Sequence, residues 1–351
     1  MTTLFENQKD DDFSYSDFQQ SLTLQYRKLL NQFKKIIRFF VKFNIFFLLI
    51  TLAQIFIFFL LLTNKEFTQL ALSIGLLFLT CSAYFVLLFY FQAKKPEQFQ
   101  QIRNSFISDS KKIIPSLKGK AEYHLSITDA LIRLVNYLHG FEWNLYHLPK
   151  IFYPFFKPLE KFSAFCHWKD VLRMKELLLY SAIEEHIQLI RLSPTDLEVH
   201  TSLANCYVSL SKIYLEPKNA SNTYFMQKQV KKFSSYFEEK FKMASERAIE
   251  EFKILNNYAP DDPWIHLQLA KSYNDLQMPE QEVLEYEMVL SLKPNDMDIL
   301  FRLGVLYFEQ GLNAKGLKVY EKLKEANYKK AEGLIRFFGC FNDQPLFEDI
   351  L

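Results

Sequence analysis

Four cysteines and seven histidines carry the most reactive side chains of this 351-residue chain, and their placement argues against chemistry. Cys81, Cys166, Cys206 and Cys340 form no Cys-x-x-Cys pair, and Cys81 lies inside an apolar run. They read as small buried hydrophobes in a reducing compartment rather than as a disulfide or zinc framework. No His-Glu-x-x-His occurs. His186 follows Glu184 and Glu185 on a predicted helix, where a half-buried structural histidine is expected because a metal needs several converging ligands. There is no phosphate-cradling Gly-Lys-Ser/Thr loop and no Gly-x-Ser-x-Gly elbow; Gly119-Lys120 is followed by Ala121 and has no upstream glycines. The expectation is no catalytic residue, no metal ligand and no cofactor, hence no enzyme. What remains is recognition chemistry. With Leu303 at the centre of a packed helix face, Ile299, Leu300, Leu306 and Tyr307 fall within about 60° of it at roughly 100° per residue. Phe301, Val305 and Phe308 then lie on the opposite side, beside Arg302. A helix apolar on two faces has more hydrophobic surface than one packing partner explains.

The elements that must carry these residues are helical. With 36 Phe and only 8 Gly the chain has few special turns for a β-rich fold and many long apolar side chains suited to packed helices, so an all-α fold is expected. The formal net charge of +2 offers no general field for nucleic acid. From Phe43 to Thr63 no charge occurs and most residues are Leu, Ile or Phe, each favouring membrane insertion by roughly 0.3–0.6 kcal/mol at a helix centre. Asn44 and Gln54 offset only part of that gain. A second uncharged run, Phe67 to Ala93, follows after Asn64, Lys65 and Glu66, and so short a loop permits only an antiparallel hairpin in the lipid bilayer. Arg27, Lys28, Lys34, Lys35, Arg38 and Lys42 precede the first run and Lys94 and Lys95 follow the second, which predicts both termini on the cytoplasmic side. A cleaved signal peptide fits poorly, because the acidic residues Asp10, Asp11, Asp12 and Asp17 precede the apolar region and a second run follows at once. The competing reading is a pair of buried core helices in a soluble protein. Between Leu22 and Phe40 apolar residues recur at helical spacing with basic residues between them. This segment is either an interfacial helix on an anionic leaflet or one that simply extends the first span or packs on the cytosolic domain. Ala71 and Gly75 form a small-xxx-small pair that would let the two spans approach.

Past Lys95 the sequence is that of a soluble helical protein with an internal period. Pro260 and Pro294 stand 34 positions apart, with His266, Leu269, Ala270, Tyr273, Glu282 and Tyr286 between them. The next stretch offers Leu300, Leu303, Gly304, Tyr307, Gly316 and Tyr320, with Tyr328 in place of proline. This spacing resembles that of the tetratricopeptide-repeat family, a helix–turn–helix unit of the same period. In such a unit the small residue, Ala270 or Gly304, lets the two helices approach, and the proline ends the second helix. An upstream copy is split into His200, Leu203, Ala204 and Tyr207, then Ala248, Phe252 and Pro260, with about one extra repeat length between. A half-unit before it shows Ala182, His186 and Pro194. The insertion, near 216–247, has no Pro or Gly between Asn222 and Leu255 and predicts mainly one overlong helix. Ala331 to Cys340 reads as a capping helix through Leu334, Phe337 and Phe338. Gly140 to Trp168, with Pro149, Pro154 and Pro158 among many aromatics, reads as a broken connector that either packs on the first repeat or touches the membrane interface. The expected organisation is an acidic tail and basic amphipathic helix (1–42), a transmembrane hairpin (43–93), the connector (94–170), repeats (171–330), and a cap with a short tail (331–351).

The resemblance implies binding rather than catalysis: a membrane-anchored scaffold or adaptor whose solenoid holds a protein or peptide partner in its concave groove. In that frame Phe301, Val305 and Phe308 line the groove, with Lys271 and Arg302 steering an acidic flank of the partner. The alternative for this stripe is that the inserted helix or the C-terminal cap covers it. Asn205 and Arg302 also match the Asn and Arg of the carboxylate clamp of some family members. Thr201 and Asp298 stand where that clamp has lysines, which speaks against a chaperone-tail ligand. The two-span hairpin also resembles the bilobed hairpin of inclusion-membrane proteins of intracellular bacteria, and membership there would place the repeats in a host's cytosol. A membrane-anchored enzyme is the rival from another class, and a channel subunit would need ionisable residues within the spans, where the sequence has none.

Overall fold

The computed structural model describes residues 2–64, 67–113, 121–143, 145–146, 156–219, 231 and 233–339. Among these, every regular element is a helix. The chain divides into two units, Met1–Glu185 and His186–Leu351.

The first unit contains α1 (Thr2–Asn64), α2 (Phe67–Ile113), α3 (Ala121–Tyr137) and most of α4 (Phe156–Leu192). α1 and α2 run antiparallel: Lys28 pairs with Asp109, Phe33 lies on Phe99, Asn44 meets Tyr84 and Gln54 meets Thr80. At 1.5 Å per residue α1 is roughly 95 Å long, far more than the ~30 Å of a hydrocarbon core. Only one end of it has membrane character. From Ile45 to Leu62 on α1, and from Phe67 to Tyr90 on α2, large apolar side chains are exposed. The most apolar window of each helix is 0% buried within the chain, unlike that of a core helix. Both are long and apolar enough to cross a membrane. Two polar pairs bridge the hairpin here. The Tyr84 hydroxyl donates to Asn44 Oδ1 at 2.9 Å and Gln54 Nε2 donates to Thr80 Oγ1 at 2.7 Å. Ala71 and Gly75 take no part in this contact. Ala71 is exposed and a Cβ on Gly75 would meet nothing within 4 Å, whereas Ser73 is the buried residue there.

Below that stretch the same two helices belong to a packed bundle. Leu22, Tyr26, Leu29, Phe33, Ile37 and Phe40 are all buried, as are Phe99, Ile102 and Phe106 of α2. Tyr26 stacks on Phe106 and Phe33 contacts both Phe99 and Phe141. The Leu22–Phe40 segment is therefore an extension of α1 and not an interfacial helix, because its apolar face already has a protein partner. Pro158 does not break the chain either: it is the third residue of α4, in the first turn, where a missing N–H leaves no intrahelical bond unmade. Trp168 is buried within α4, while Gly119, Lys120, Pro149 and Pro154 lie outside the described residues. α4 is tied to its neighbours by Ser163 donating to the Glu142 carbonyl at 2.6 Å, by Tyr146 bonding His167, and by the ion pairs Lys95–Asp170 and Lys111–Glu185.

Among the described residues the second unit holds three consecutive helical hairpins: α5 (Leu197–Asn219) with α6 (Ser234–Tyr258), α7 (Pro263–Asp275) with α8 (Pro279–Leu292), and α9 (Met297–Glu309) with α10 (Asn313–Glu325). A single turn, α11 (Ala331–Leu334), and a 3₁₀ turn (Ile335–Phe337) follow. Every first helix opens the same way, with Pro-x-Asp at Pro194, Pro260 and Pro294. The aspartate caps it: Asp196, Asp262 and Asp296 accept from the backbone N–H groups of Glu198, Trp264 and Ile299 at 3.0, 2.9 and 3.1 Å. α7 and α9 also stop at one register, where Gln277 (φ 55°) and Gly311 (φ 74°) turn into the left-handed region. Ser211 stands at that register in α5, and α5 runs on to Asn219. Part of the inserted length thus lengthens both helices of the first hairpin. A single helix from Asn222 does not form, since α6 begins only at Ser234, after the non-helical Phe233; 220–230 and 232 lie outside the described residues.

Each hairpin's core continues into the next. Ala204, Ala248 and Phe252 cluster with Ile265, Leu269 and Tyr273; Ala270, Val283 and Tyr286 cluster with Leu303, Tyr307, Val319 and Leu334. At Gly304 a Cβ would come within 2.7 Å of Leu334 and 2.8 Å of Val319, so this glycine sets how closely α9, α10 and the cap pack. The cap is shorter than the sequence suggests: one α turn and one 3₁₀ turn carry Leu334 and Phe337, and Cys340 lies outside the described residues.

Candidate functional site

Counting from the opening prolines, Asn205, Lys271 and Val305 occupy one position in α5, α7 and α9. Asn205 and Lys271 are exposed, and neither side chain is engaged by another among the described residues. Val305 is 3% exposed. Phe308 is 0% exposed: its ring lies where a Cβ on Gly316 would approach to 2.5 Å, and Phe338 meets it edge-on at 5.6 Å. Phe301 is half-buried with its ring 6.1 Å from that of Tyr328. The stripe expected to line a groove is thus covered from within the chain, by α10 and the cap. Val305 and Phe308 are core residues out of a partner's reach.

Arg302 is also occupied. It donates to Glu282 at 3.1 Å, and Asn274 Nδ2 donates to both carboxylate oxygens at 3.1 and 3.0 Å. Glu282, 2% exposed, stands where the repeat pattern expects alanine, so a buried charge bridges α7, α8 and α9 and draws Arg302 inward. Burial holds the carboxyls of Asp275 and Glu309 above their ordinary range, with Glu282 adding to the shift and Lys212 or Arg302 opposing it. Of the other clamp positions, Thr201 is half-buried and Asp298 accepts the Tyr328 hydroxyl, so neither offers a cation.

A second repeated arrangement is built on two histidines of the repeat pattern. His200 and His266 each lie six residues after the opening proline. Nδ1 of His200 bonds Glu251 at 2.7 Å and Nε2 bonds the Pro194 carbonyl at 3.0 Å; in His266 the partners are Glu285 at 2.6 Å and the Pro260 carbonyl at 2.8 Å. Burial, the largest single influence, lowers both imidazole pKa values, but the carboxylate and carbonyl bonds outweigh it and the net shift is upward. Their shared position was legible in the sequence; the carboxylate and carbonyl that hold each ring were not. The structure also shows an open cleft of about 710 Å³ where the extended part of α5 and the first half of α6 meet the end of α7, with Leu215, Phe241, Ile249, Tyr273 and Met278 in its wall.

The reactive side chains are placed as follows. Cys206 is buried and its thiol pushed up to about 12 by burial, Cys81 is half-buried, and Cys166 is exposed rather than buried as expected. His186 is fully buried, not half-buried, with Nε2 2.8 Å from Ser202 Oγ. Among the described residues no three His, Cys, Asp or Glu side chains converge as metal ligands. Compared with known proteins, the chain matches no family model and no curated protein at a significant level.

Proposed function

We propose that this chain is a membrane-anchored scaffold. α1 and α2 span the bilayer as a hairpin with both termini on the cytoplasmic side, and the second unit is a tetratricopeptide-type solenoid that holds a protein or peptide partner against its first two hairpins. The observation that supports this reading is the shared register of the hairpins: the Pro-x-Asp cap and the small core residue recur in all three, the doubly bonded histidine in the first two, and the equivalent outward positions Asn205 and Lys271 stay open. The basic residues flanking the apolar stretches support the orientation. The last hairpin contributes no binding surface of its own in this reading, because the cap covers it.

A photo-crosslinking residue placed at Asn205, at Lys271 or at the exposed Lys318 of α10, in the full chain in its native membrane, tests this. One discrete adduct from the first two positions and none from Lys318 is the expected result. Equal labelling from all three positions would count against a defined partner surface.

A further inference from the structure

A cavity of about 640 Å³ opens between α1 and α2 where their uncovered apolar stretch gives way to the packed bundle. Its wall contains Lys34, Lys35, Arg38, Lys42 and Lys94, and no Asp or Glu. Lys34, Arg38 and Lys42 follow one another at i, i+4 and i+8, which stacks three like charges on one helix face. Such a row destabilises the helix unless something anionic lies beside it. Three other lysines on the same two helices do have carboxylate partners: Lys28 has Asp109, Lys95 has Asp170 and Lys111 has Glu185. Among the described residues Lys34, Lys35 and Lys42 have none, and Arg38 gives one N–H to the Leu145 carbonyl at 3.1 Å. The apolar side of the cavity is aromatic, with Phe39 and Phe91 edge-on at 5.1 Å and Tyr90 beneath Lys94. From Phe39 the exposed apolar surface continues through Ile45 and Phe46.

A ligand that suits both halves carries an oxyanion joined to hydrocarbon. We propose that this cavity binds the phosphate of an anionic membrane phospholipid, with the lysines around the headgroup and the acyl chains lying along the exposed surface beyond Phe39. The proposal rests on the reading that α1 and α2 span a bilayer. The same oxyanion could come from soluble phosphate; the continuous apolar surface selects the lipid.

The test uses the full chain reconstituted in vesicles of phosphatidylcholine, alone or doped with phosphatidylglycerol, then extracted in mild detergent, with bound lipid counted by mass spectrometry. Wild type should retain phosphatidylglycerol selectively. The triple variant Lys34→Gln/Lys35→Gln/Lys42→Gln should lose at least tenfold in retention, because each basic residue near an anionic surface contributes roughly fivefold. The Lys→Arg triple should restore it, and a control of equal charge loss at exposed positions, Lys157→Gln/Lys318→Gln/Lys322→Gln, should leave it unchanged. Alkaline carbonate extraction is run alongside. A chain that stays in the membrane pellet yet retains lipid equally in wild type and triple variant overturns the cavity assignment alone; a wild-type chain released to the supernatant overturns the spans, and the lipid site with them. Inorganic phosphate displacing phosphatidylglycerol at equal concentration would reassign the cavity to a soluble anion and overturn the lipid source.

Discussion

His200 and His266 have hydrogen-bond acceptors on both ring nitrogens, and only the doubly protonated imidazolium donates to both. Their raised pKa values have a definite sign in stability. A group bound more tightly to its proton when folded stabilises fully below its unfolded value, about 6.5, and loses that contribution as pH climbs through the higher native value. The melting temperature of the full chain in detergent should therefore fall as pH is raised above about 6.5, and His200→Gln/His266→Gln should flatten that slope. An unchanged slope in the double variant would remove the histidines from the account. Glu282 and Arg302 provide an asymmetric case. Arg302→Met leaves a buried carboxylate with only Asn274 and should cost about 2–3 kcal/mol, reduced from the cost for a fully buried pair because the Arg302 side chain is 30% exposed. Glu282→Ala removes the buried charge and restores the small residue of the repeat pattern, so it should be near neutral; urea unfolding of both variants decides. Residue-level legibility was uneven for a physical reason. Ala270 and Gly304 announced close helix approach, but a helical wheel places Phe308 outside without knowing that Gly316 leaves room for its ring, or that Phe338 closes over it.

At the scale of elements, starts and stops were encoded locally and lengths were not. The Pro-x-Asp caps fix where α5, α7 and α9 begin, and a left-handed residue fixes where α7 and α9 end. Gln277 takes that conformation with a side chain that disfavours it, whereas Gly311 takes it freely. Gln277→Gly should stabilise by about 0.5–1 kcal/mol, the left-handed strain relieved less the added unfolded-state entropy. Gly316→Ala should go the other way, by about 1–3 kcal/mol, because its Cβ would meet the rigid Phe308 ring. Thermal melts of the two variants that moved in the same direction would refute the pairing. The insertion misled because its uninterrupted helix-forming run gave no sign of the break before Ser234. The aromatic connector misled for the opposite reason: Pro158 looks like a breaker, but at the third position of α4 it costs no hydrogen bond.

At the scale of the whole chain, the apolar runs were legible as potential spans from composition alone, while the burial of Leu22–Phe40 was not, since an amphipathic stripe is equally suited to a leaflet or to Phe99, Ile102 and Phe106. Cysteine-reactive, membrane-impermeant labels at Gln98 and at Leu351 should report one side of the membrane; opposite sides would refute the two-span hairpin. The unbroken course of α1 from the uncovered stretch into the bundle has a mechanical consequence. On the proposed reading that α1 spans the bilayer, it crosses the surface without a joint and acts as a lever: when thinner lipid tilts its hydrocarbon-embedded arm, the other arm swings with it instead of bending at the headgroups. From Asn44 to Leu22 that arm is about 33 Å long, so a tilt of ~10° displaces its end by roughly 6 Å. A spin label at the exposed Leu24 should shift its depth relative to the bilayer surface between short-chain and long-chain vesicles, and a label that holds its depth would mean that α1 flexes at the membrane surface after all.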